Sequence, residues 1–162
     1  MKRIALFFCV VLLAASLPGV LSAQDKATPQ DVYDMVLKAH DVIKNLGAEA
    51  FPAFNDPKGE FVFKDSYVFV QECPAFVVAH PFALEQLKGK DLRPIYPFQN
   101  TFCEGAKNPN GAWVEYMWPK PGEKDPSRKI AFIISVAGTP YQVAAGIYND
   151  DVTVDELNKS IK

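Results

Sequence analysis

The stretch Gly111-Ala112-Trp113-Val114-Glu115-Tyr116-Met117-Trp118-Pro119 has the clearest strand pattern in the chain. Because side chains alternate along a strand, both faces of this one carry bulk: Val114, Tyr116 and Trp118 on one face, and Trp113, Glu115 and Met117 on the other. A tyrosine hydroxyl and an indole N–H on one face both need hydrogen-bond partners. The strand therefore suits either a sheet core or the wall of a small-molecule pocket.

Other segments rich in β-branched and aromatic residues surround this strand and favour an antiparallel meander. The predicted strands are Glu60–Lys64, Tyr67–Glu72, Ala75–Ala79, Ala112–Trp118, Lys129–Val136 and Tyr141–Tyr148. The third and fourth are joined by a long segment, His80 to Gly111, with one helical turn predicted at Phe82–Leu87. A connection of that length in a small domain is typically functional, and here we expect it to cover a ligand.

Helices flank the strands. Thr28 followed by Pro29 predicts a helix start, and apolar residues at three- and four-residue steps continue to Leu46, before Gly47 as a stop. A short helical piece is expected over Ala48–Phe54. The capping-box spacing of Thr153 to Glu156 predicts a short carboxyl-terminal helix. The fold class is therefore α+β, with helices packed on a single sheet.

The amino terminus has the three parts of an export signal. Lys2 and Arg3 precede an apolar run from Ile4 to Leu17, and Leu21-Ser22-Ala23 is a small-residue cleavage site. We expect residues 1–23 to be removed, which leaves residues 24–162 as one domain in the periplasm or outside the cell. The alternative is an uncleaved amino-terminal anchor.

The charge balance argues against two classes of partner. After cleavage, 15 basic and 19 acidic residues would remain, because only Lys2 and Arg3 leave with the signal. Nucleic acids and anionic membranes both favour basic surfaces. Neither is expected to be the main partner.

Two cysteines, Cys73 and Cys103, remain in the mature chain. An even number in an exported protein predicts a disulfide, and two free thiols are the alternative. The sequence has no C-x-x-C, no haem-attachment motif and no His/Cys cluster, so we expect no metal and no cofactor.

Five motifs follow one another as they do in single Cache domains, the extracytoplasmic sensor domains of bacterial chemoreceptors and histidine kinases. They are Tyr67-Val68-Phe69-Val70, Ala79-His80-Pro81, Leu87-Lys88-Gly89-Lys90-Asp91-Leu92, Gly111 to Pro119 with Pro121, and Ala145-Gly146-Ile147-Tyr148. The resemblance implies a PAS-like fold, with a long amino-terminal helix packed on a five- to six-stranded antiparallel sheet. It also implies binding of small ligands, often short organic acids.

The chain departs from the family pattern in three ways. Phe132 stands where a tyrosine is usual, so one hydroxyl contact is expected to be missing. Cys73-Pro74 replaces a glycine turn and adds the expected crosslink. Family members are commonly followed by a transmembrane helix, whereas this sequence ends at Lys162, and we expect it to act as a stand-alone binding domain.

Six residues are candidates for ligand binding: Tyr67, His80, Tyr116, Trp118, Lys129 and Tyr148. Lys129 would pair with a ligand carboxylate through a charge-assisted hydrogen bond, and the alternative is a solvated strand end next to Arg128. The aromatic residues would line the pocket or simply form core. His80 would bind ligand or make a structural hydrogen bond.

Three functions compete. Binding of a small acid without chemical change is the first, with a membrane-bound sensor or transporter as the downstream partner. An enzyme would need a positioned base or a carboxylate pair. Glu115 and Asp56 could act as such a pair, but nothing in their spacing demands it, and we expect no enzyme. The third function is an interaction module that docks onto a membrane sensor without a small ligand.

Overall fold

The computed structural model describes residues 26–74, 76–149 and 151–161, so the predicted export signal lies outside the described residues. All strand pairs in these ranges are antiparallel, and they form a six-stranded sheet. The strands are β1 (Val62–Phe63), β2 (Ser66–Glu72), β3 (Phe76–Ala79), β4 (Ala112–Pro119), β5 (Pro126–Ser135) and β6 (Tyr141–Ile147). Their order is β1-β2-β6-β5-β4, and β3 also pairs with β2. The predicted fold class is confirmed.

The long amino-terminal helix α1 (Pro29–Leu46) begins where the sequence predicts. The Thr28 hydroxyl accepts a hydrogen bond from the Asp31 amide, and the Asp31 carboxylate accepts one from the Thr28 amide, which completes a capping box. The helix ends at Gly47, whose φ of 57° is in the left-handed region that glycine adopts easily. Its apolar stripe, from Val32 to Ile43, is buried against the sheet.

The other helices are short. A 3₁₀ turn at Gly47–Ala50 and α2 (Phe51–Asn55) form the expected helical piece after α1. Then come α3 (Leu84–Leu87), α4 (Gln99–Gly105) and α5 (Val154–Ser160). The predictions for α3 and α5 are confirmed, while α4 was not predicted. Among the described residues, no helix has the length and apolarity that a membrane span requires.

The sheet has two different faces. Alternating residues such as Val68, Ile130 and Phe132 pack under α1 on the first face. Residues such as Tyr67, Tyr116 and Ile133 pack on the second face, under α4. The alternation predicted for the Gly111–Pro119 stretch therefore holds, and Tyr116 and Trp118 lie on the side that the long middle segment covers.

A disulfide ties the long middle segment, His80 to Gly111, to the sheet. We call this segment the cover. Cys73 follows β2, Cys103 belongs to α4, and their sulfur atoms are bonded at 2.06 Å. The predicted pairing is confirmed. Phe102, the residue before Cys103, is 1% exposed and packs on the second face. The crosslink and this aromatic anchor together hold α4 over the sheet.

Candidate ligand-binding site

The second face of the sheet is shaped like a trough. Its two central strands, β5 and β6, carry the small residues Ala131, Ala144 and Gly146 toward α4. The flanking strands carry large rings, with Tyr67 and Phe69 on β2, and Tyr116 and Trp118 on β4. Small residues between aromatic walls leave space that a side chain or a ligand can occupy.

Lys129 on β5 enters this trough. A Cβ at Gly146 would lie 2.9 Å from Cε of Lys129, so the glycine provides the room that the lysine stem needs. Lys129 is 0% exposed, and its Nζ lies 3.8 Å from the ring centroid of Tyr67 and 5.0 Å from that of Tyr148. Such distances allow cation–π attraction to both rings. The alternative of a solvated strand end is wrong, because Lys129 is fully buried and β5 begins three residues before it, at Pro126.

The amine of Lys129 lacks the partner that a buried charge requires. Among the residues that the structure describes, its Nζ has no hydrogen-bond acceptor. Burial lowers the pKa of Lys129 well below its usual value, and the charge of Asp65 opposes this shift only in part. An anion placed beside Nζ would favour the charged form and reverse the shift.

The phenols around Lys129 are hydrogen-bond donors at neutral pH. Burial raises the pKa of Tyr67 to about 12 and also raises the pKa values of Tyr116 and Tyr148. All three therefore keep their hydroxyl protons. In this conformation the Tyr148 hydroxyl donates to the carbonyl of Pro119 at 2.7 Å, which ties the end of β6 to the end of β4.

His80 follows β3 and is fixed by backbone contacts. Its Nδ1 accepts hydrogen bonds from the amides of Phe82 and Ala83, at 3.1 and 3.0 Å. Burial, and secondarily the charge of Lys129, lowers the pKa of His80 to about 3, so the ring is neutral. These two bonds assign the proton to Nε2. The ring centroid lies 4.9 Å from that of Tyr67 and 6.1 Å from that of Trp118. His80 thus has a structural role and also lies on the cavity wall.

Two spaces meet at His80 and Trp118. The inner cavity, under the cover, has a volume of about 20 Å³, which is room for about one water molecule. It is lined by Phe69, Val77, His80, Leu87, Leu92, Phe98, Gln99, Phe102, Tyr116 and Trp118. The outer cavity has a volume of about 200 Å³ and lies between Tyr67, His80, Phe82, Ala83, Gln86 and the segment from Trp118 to Glu123.

The structure therefore brings all six predicted residues together. Tyr67 and Tyr148 lie against the Lys129 amine, Tyr116 and Trp118 form one wall, and His80 contacts the rings of Tyr67 and Trp118. A ligand larger than water enters the inner cavity only if part of the cover moves, because this cavity is nearly filled by side chains.

Sequence reasoning missed the residues that the cover contributes. Phe98 and Phe102 pack on Tyr116 with ring centroids 4.8 Å away in each case, and Gln99 lies beside them. The available signal was the four-residue spacing of the two phenylalanines, which places them on one helix face. Phe132, where a missing hydroxyl was expected, lies on the first face under α1, so its side chain does not bear on this site.

The two candidate catalytic carboxylates have other contacts. Glu115 accepts a 2.6 Å hydrogen bond from Arg128, and Asp56 accepts one from the Lys58 amide within a turn. Arg128 also donates to the carbonyls of Asn149 and Val152 and so holds the link that leads into α5. In the described part of the chain, no group of three or more His, Cys, Asp or Glu side chains could hold a metal ion.

The disulfide is expected to stabilise the fold and keep the cover closed. Replacing both cysteines in Cys73→Ser/Cys103→Ser should lower the free energy of unfolding by roughly 3 to 4 kcal/mol, because the loop closed by the crosslink becomes free in the unfolded chain. Urea denaturation followed by tryptophan fluorescence measures this loss. The wild type in reductant is the matched control and should lose a similar amount. An unchanged midpoint in both samples would contradict the prediction.

A long helix on an antiparallel sheet, with a covered aromatic cavity on the opposite face, is the arrangement of the PAS-like fold class. Residues 57–153 match the family model of the Cache domain. The chain belongs to the Cache domain family, whose members are sensor domains, so the resemblance seen in the motifs is confirmed.

Three proteins similar to this chain in sequence or fold are chemotaxis or chemosensory proteins. The methyl-accepting chemotaxis protein McpP of Pseudomonas putida is 27% identical over 96 residues, which are 56% of this chain, and the chain spans only 18% of that protein's length. A methyl-accepting chemotaxis protein from Vibrio parahaemolyticus superposes with a TM-score of 0.63 at 16% identity, covering 76% of this chain and 90% of that one. A Cache chemosensory domain, solved to explain carboxylic acid recognition, gives 0.57 at 20% identity, covering 73% and 86%. These structural likenesses support the fold.

Proposed function

We propose that this domain binds a short organic acid reversibly, in the trough between β2 and β4, and that Lys129 pairs with the carboxylate. The observation that carries the proposal is the fully buried Lys129 amine, for which the described residues supply no hydrogen-bond acceptor. A buried ammonium costs several kcal/mol unless it is paired, and a carboxylate would supply both charge and acceptors. The phenols of Tyr67 and Tyr148 lie close enough to donate to the same group once they reorient.

The shape of the site supports a short ligand. The inner cavity is apolar and narrow, so it accepts at most a small substituent unless the cover moves. The outer cavity offers an entrance between Phe82 and the turn after β4. The carboxylic acid recognition reported for one structural neighbour is consistent with this choice of ligand class.

We infer that the bound acid is released without chemical change. Catalysis needs a free base or nucleophile against the substrate. In the cavity, the Nδ1 of His80 is occupied by two backbone amides, and the pKa of this histidine is too low for it to act as a base near neutral pH. Glu115 and Asp56 are engaged elsewhere in the fold.

We further propose that residues 1–23 direct export, so that residues 24–162 act in the periplasm or outside the cell. There the domain would serve as a sensory or accessory binding component, and its acid-bound form would be recognised by a membrane-bound sensor or transporter.

A thermal-shift screen followed by calorimetry tests the proposal. Acetate, propionate, butyrate, pyruvate and succinate are compared with neutral amides of the same length, using protein that contains residues 24–162. At least one acid should raise the melting temperature and bind with a measurable Kd, while its amide should not, because the amide cannot neutralise Lys129. A folded sample that responds to none of the acids would contradict acid binding and would favour the interaction module.

A further inference from the structure

We propose that Gln99 is a specificity-determining residue that selects acids carrying a hydroxyl or amino group over unsubstituted acids of the same length. This inference rests on the proposed function of the trough. Gln99 lines the inner cavity and is 4% exposed. Its amide oxygen is buried, and no described residue donates a hydrogen bond to it.

The position of Gln99 is fixed by the cover. It is the first residue of α4, between Phe98, which packs on Tyr116, and the disulfide at Cys103. Gln99 therefore approaches the inner cavity from the cover, whereas Lys129 enters the trough from the sheet and is not among the residues that line this cavity. The Lys129 amine lies 5.8 Å and 6.0 Å from the rings of Phe69 and Tyr116, and both of these rings line the inner cavity.

This arrangement gives the site two polar ends separated by rings. A carboxylate at Lys129 would leave the rest of the ligand between Phe69 and Tyr116, directed toward α4. An amide oxygen only accepts hydrogen bonds, so the complementary ligand group must be a donor. An unsubstituted acid would leave this oxygen unpaired in an apolar space, and sites built to pair with a donor discriminate strongly against analogues that lack it.

Calorimetry with matched acids tests the selection. The probes are propionate, 2-hydroxypropionate, 3-hydroxypropionate and 3-aminopropionate, titrated into the wild type and into Gln99→Leu. The wild type should bind at least one substituted acid about tenfold or more tightly than propionate, because one extra hydrogen bond forms and no buried acceptor is left unpaired. Gln99→Leu should bind propionate and the preferred acid with equal affinity.

Gln142→Leu is the matched control. Gln142, on β6, is also buried with an unpaired amide oxygen among the described residues, but it is held by its own donor bond to the Pro140 carbonyl, away from the lining of both cavities. This variant removes the same polar group and should keep the wild-type preference.

Equal binding of propionate and all three substituted acids by the wild type would overturn the role of Gln99. A preference that survives in Gln99→Leu would also overturn it, and in both cases the proposed acid binding would stand. Absence of binding by any acid to the folded wild type would overturn both proposals. Loss of the preference in Gln99→Leu, with the preference kept in Gln142→Leu, supports the assignment.

Discussion

Lys129→Met is expected to weaken acid binding strongly while making the empty protein more stable. Methionine has nearly the length of the lysine stem and fills the space beside Gly146 without a charge. The ligand carboxylate would then be buried without its cation, which typically costs 2 to 5 kcal/mol, so affinity for any acid bound by the wild type should fall by roughly 30-fold to several thousand-fold. Calorimetry of the variant with that acid measures the loss.

The stability of the same variant gives an independent result. In the empty wild type the folded state carries a buried amine whose pKa is lowered by burial, and replacing it with an apolar side chain removes this cost. The free energy of unfolding at pH 7 should therefore rise by about 1 to 3 kcal/mol in urea denaturation. Lys124→Met, at an exposed position in the turn after β4, is the control and should change neither affinity nor stability. Wild-type affinity in Lys129→Met would remove this residue from the site.

Local signals in the sequence were sufficient for most of the framework. The capping box at Thr28 and the three- and four-residue apolar steps define α1 without help from the rest of the chain. Period-two alternation located the strands, with β5 beginning three residues earlier than predicted. That extension comes from pairing, because Ser127 lies opposite Trp118 and Pro126 opposite Pro119. A contact across the sheet is invisible in a pattern along one segment.

The site could be predicted only in part, because contacts across the sheet cannot be read from the pattern along one segment. The motifs and chemistry of the six candidate residues indicated a pocket, and the fold places those residues together. The depth of Lys129 could not be predicted, because it depends on Gly146 from a neighbouring strand and on the ring of Tyr67 two strands away. α4 has no side-chain cap and is held by the packing of Phe102 and by the disulfide, so its own sequence carries little helix signal.

The buried lysine should also make the stability of the empty domain depend on pH. In the unfolded chain Lys129 has its usual pKa of 10.5, whereas burial lowers it well below that value in the folded state. Between the two pKa values the unfolded state binds more protons, so the free energy of unfolding rises with pH, by at most about 1.4 kcal/mol per pH unit. Urea denaturation at half-unit steps from pH 7 to 9.5 should show this rise, and Lys129→Met should flatten it.

Other groups facing Lys129 titrate outside this window. The pKa of His80 is about 3 in the folded state, against 6.5 when unfolded, so its effect is confined to lower pH. The pKa of Tyr67 is about 12, and those of Tyr116 and Tyr148 are also raised from 10, so the phenols destabilise the fold only above pH 10. The charge of Asp65 partly supports the protonated amine.

The affinity for an acid should fall as the pH rises, which is opposite to the trend in the stability of the empty domain. A carboxylate beside Nζ raises the pKa of Lys129, so binding above the lowered pKa takes up as much as one proton, and affinity should fall up to tenfold for each pH unit. Calorimetry at pH 8 in phosphate and in Tris, whose ionisation enthalpies differ, should give binding enthalpies that differ in proportion to the protons taken up. Identical enthalpies in both buffers, with affinity constant from pH 7 to 9, would contradict proton uptake by Lys129 on binding.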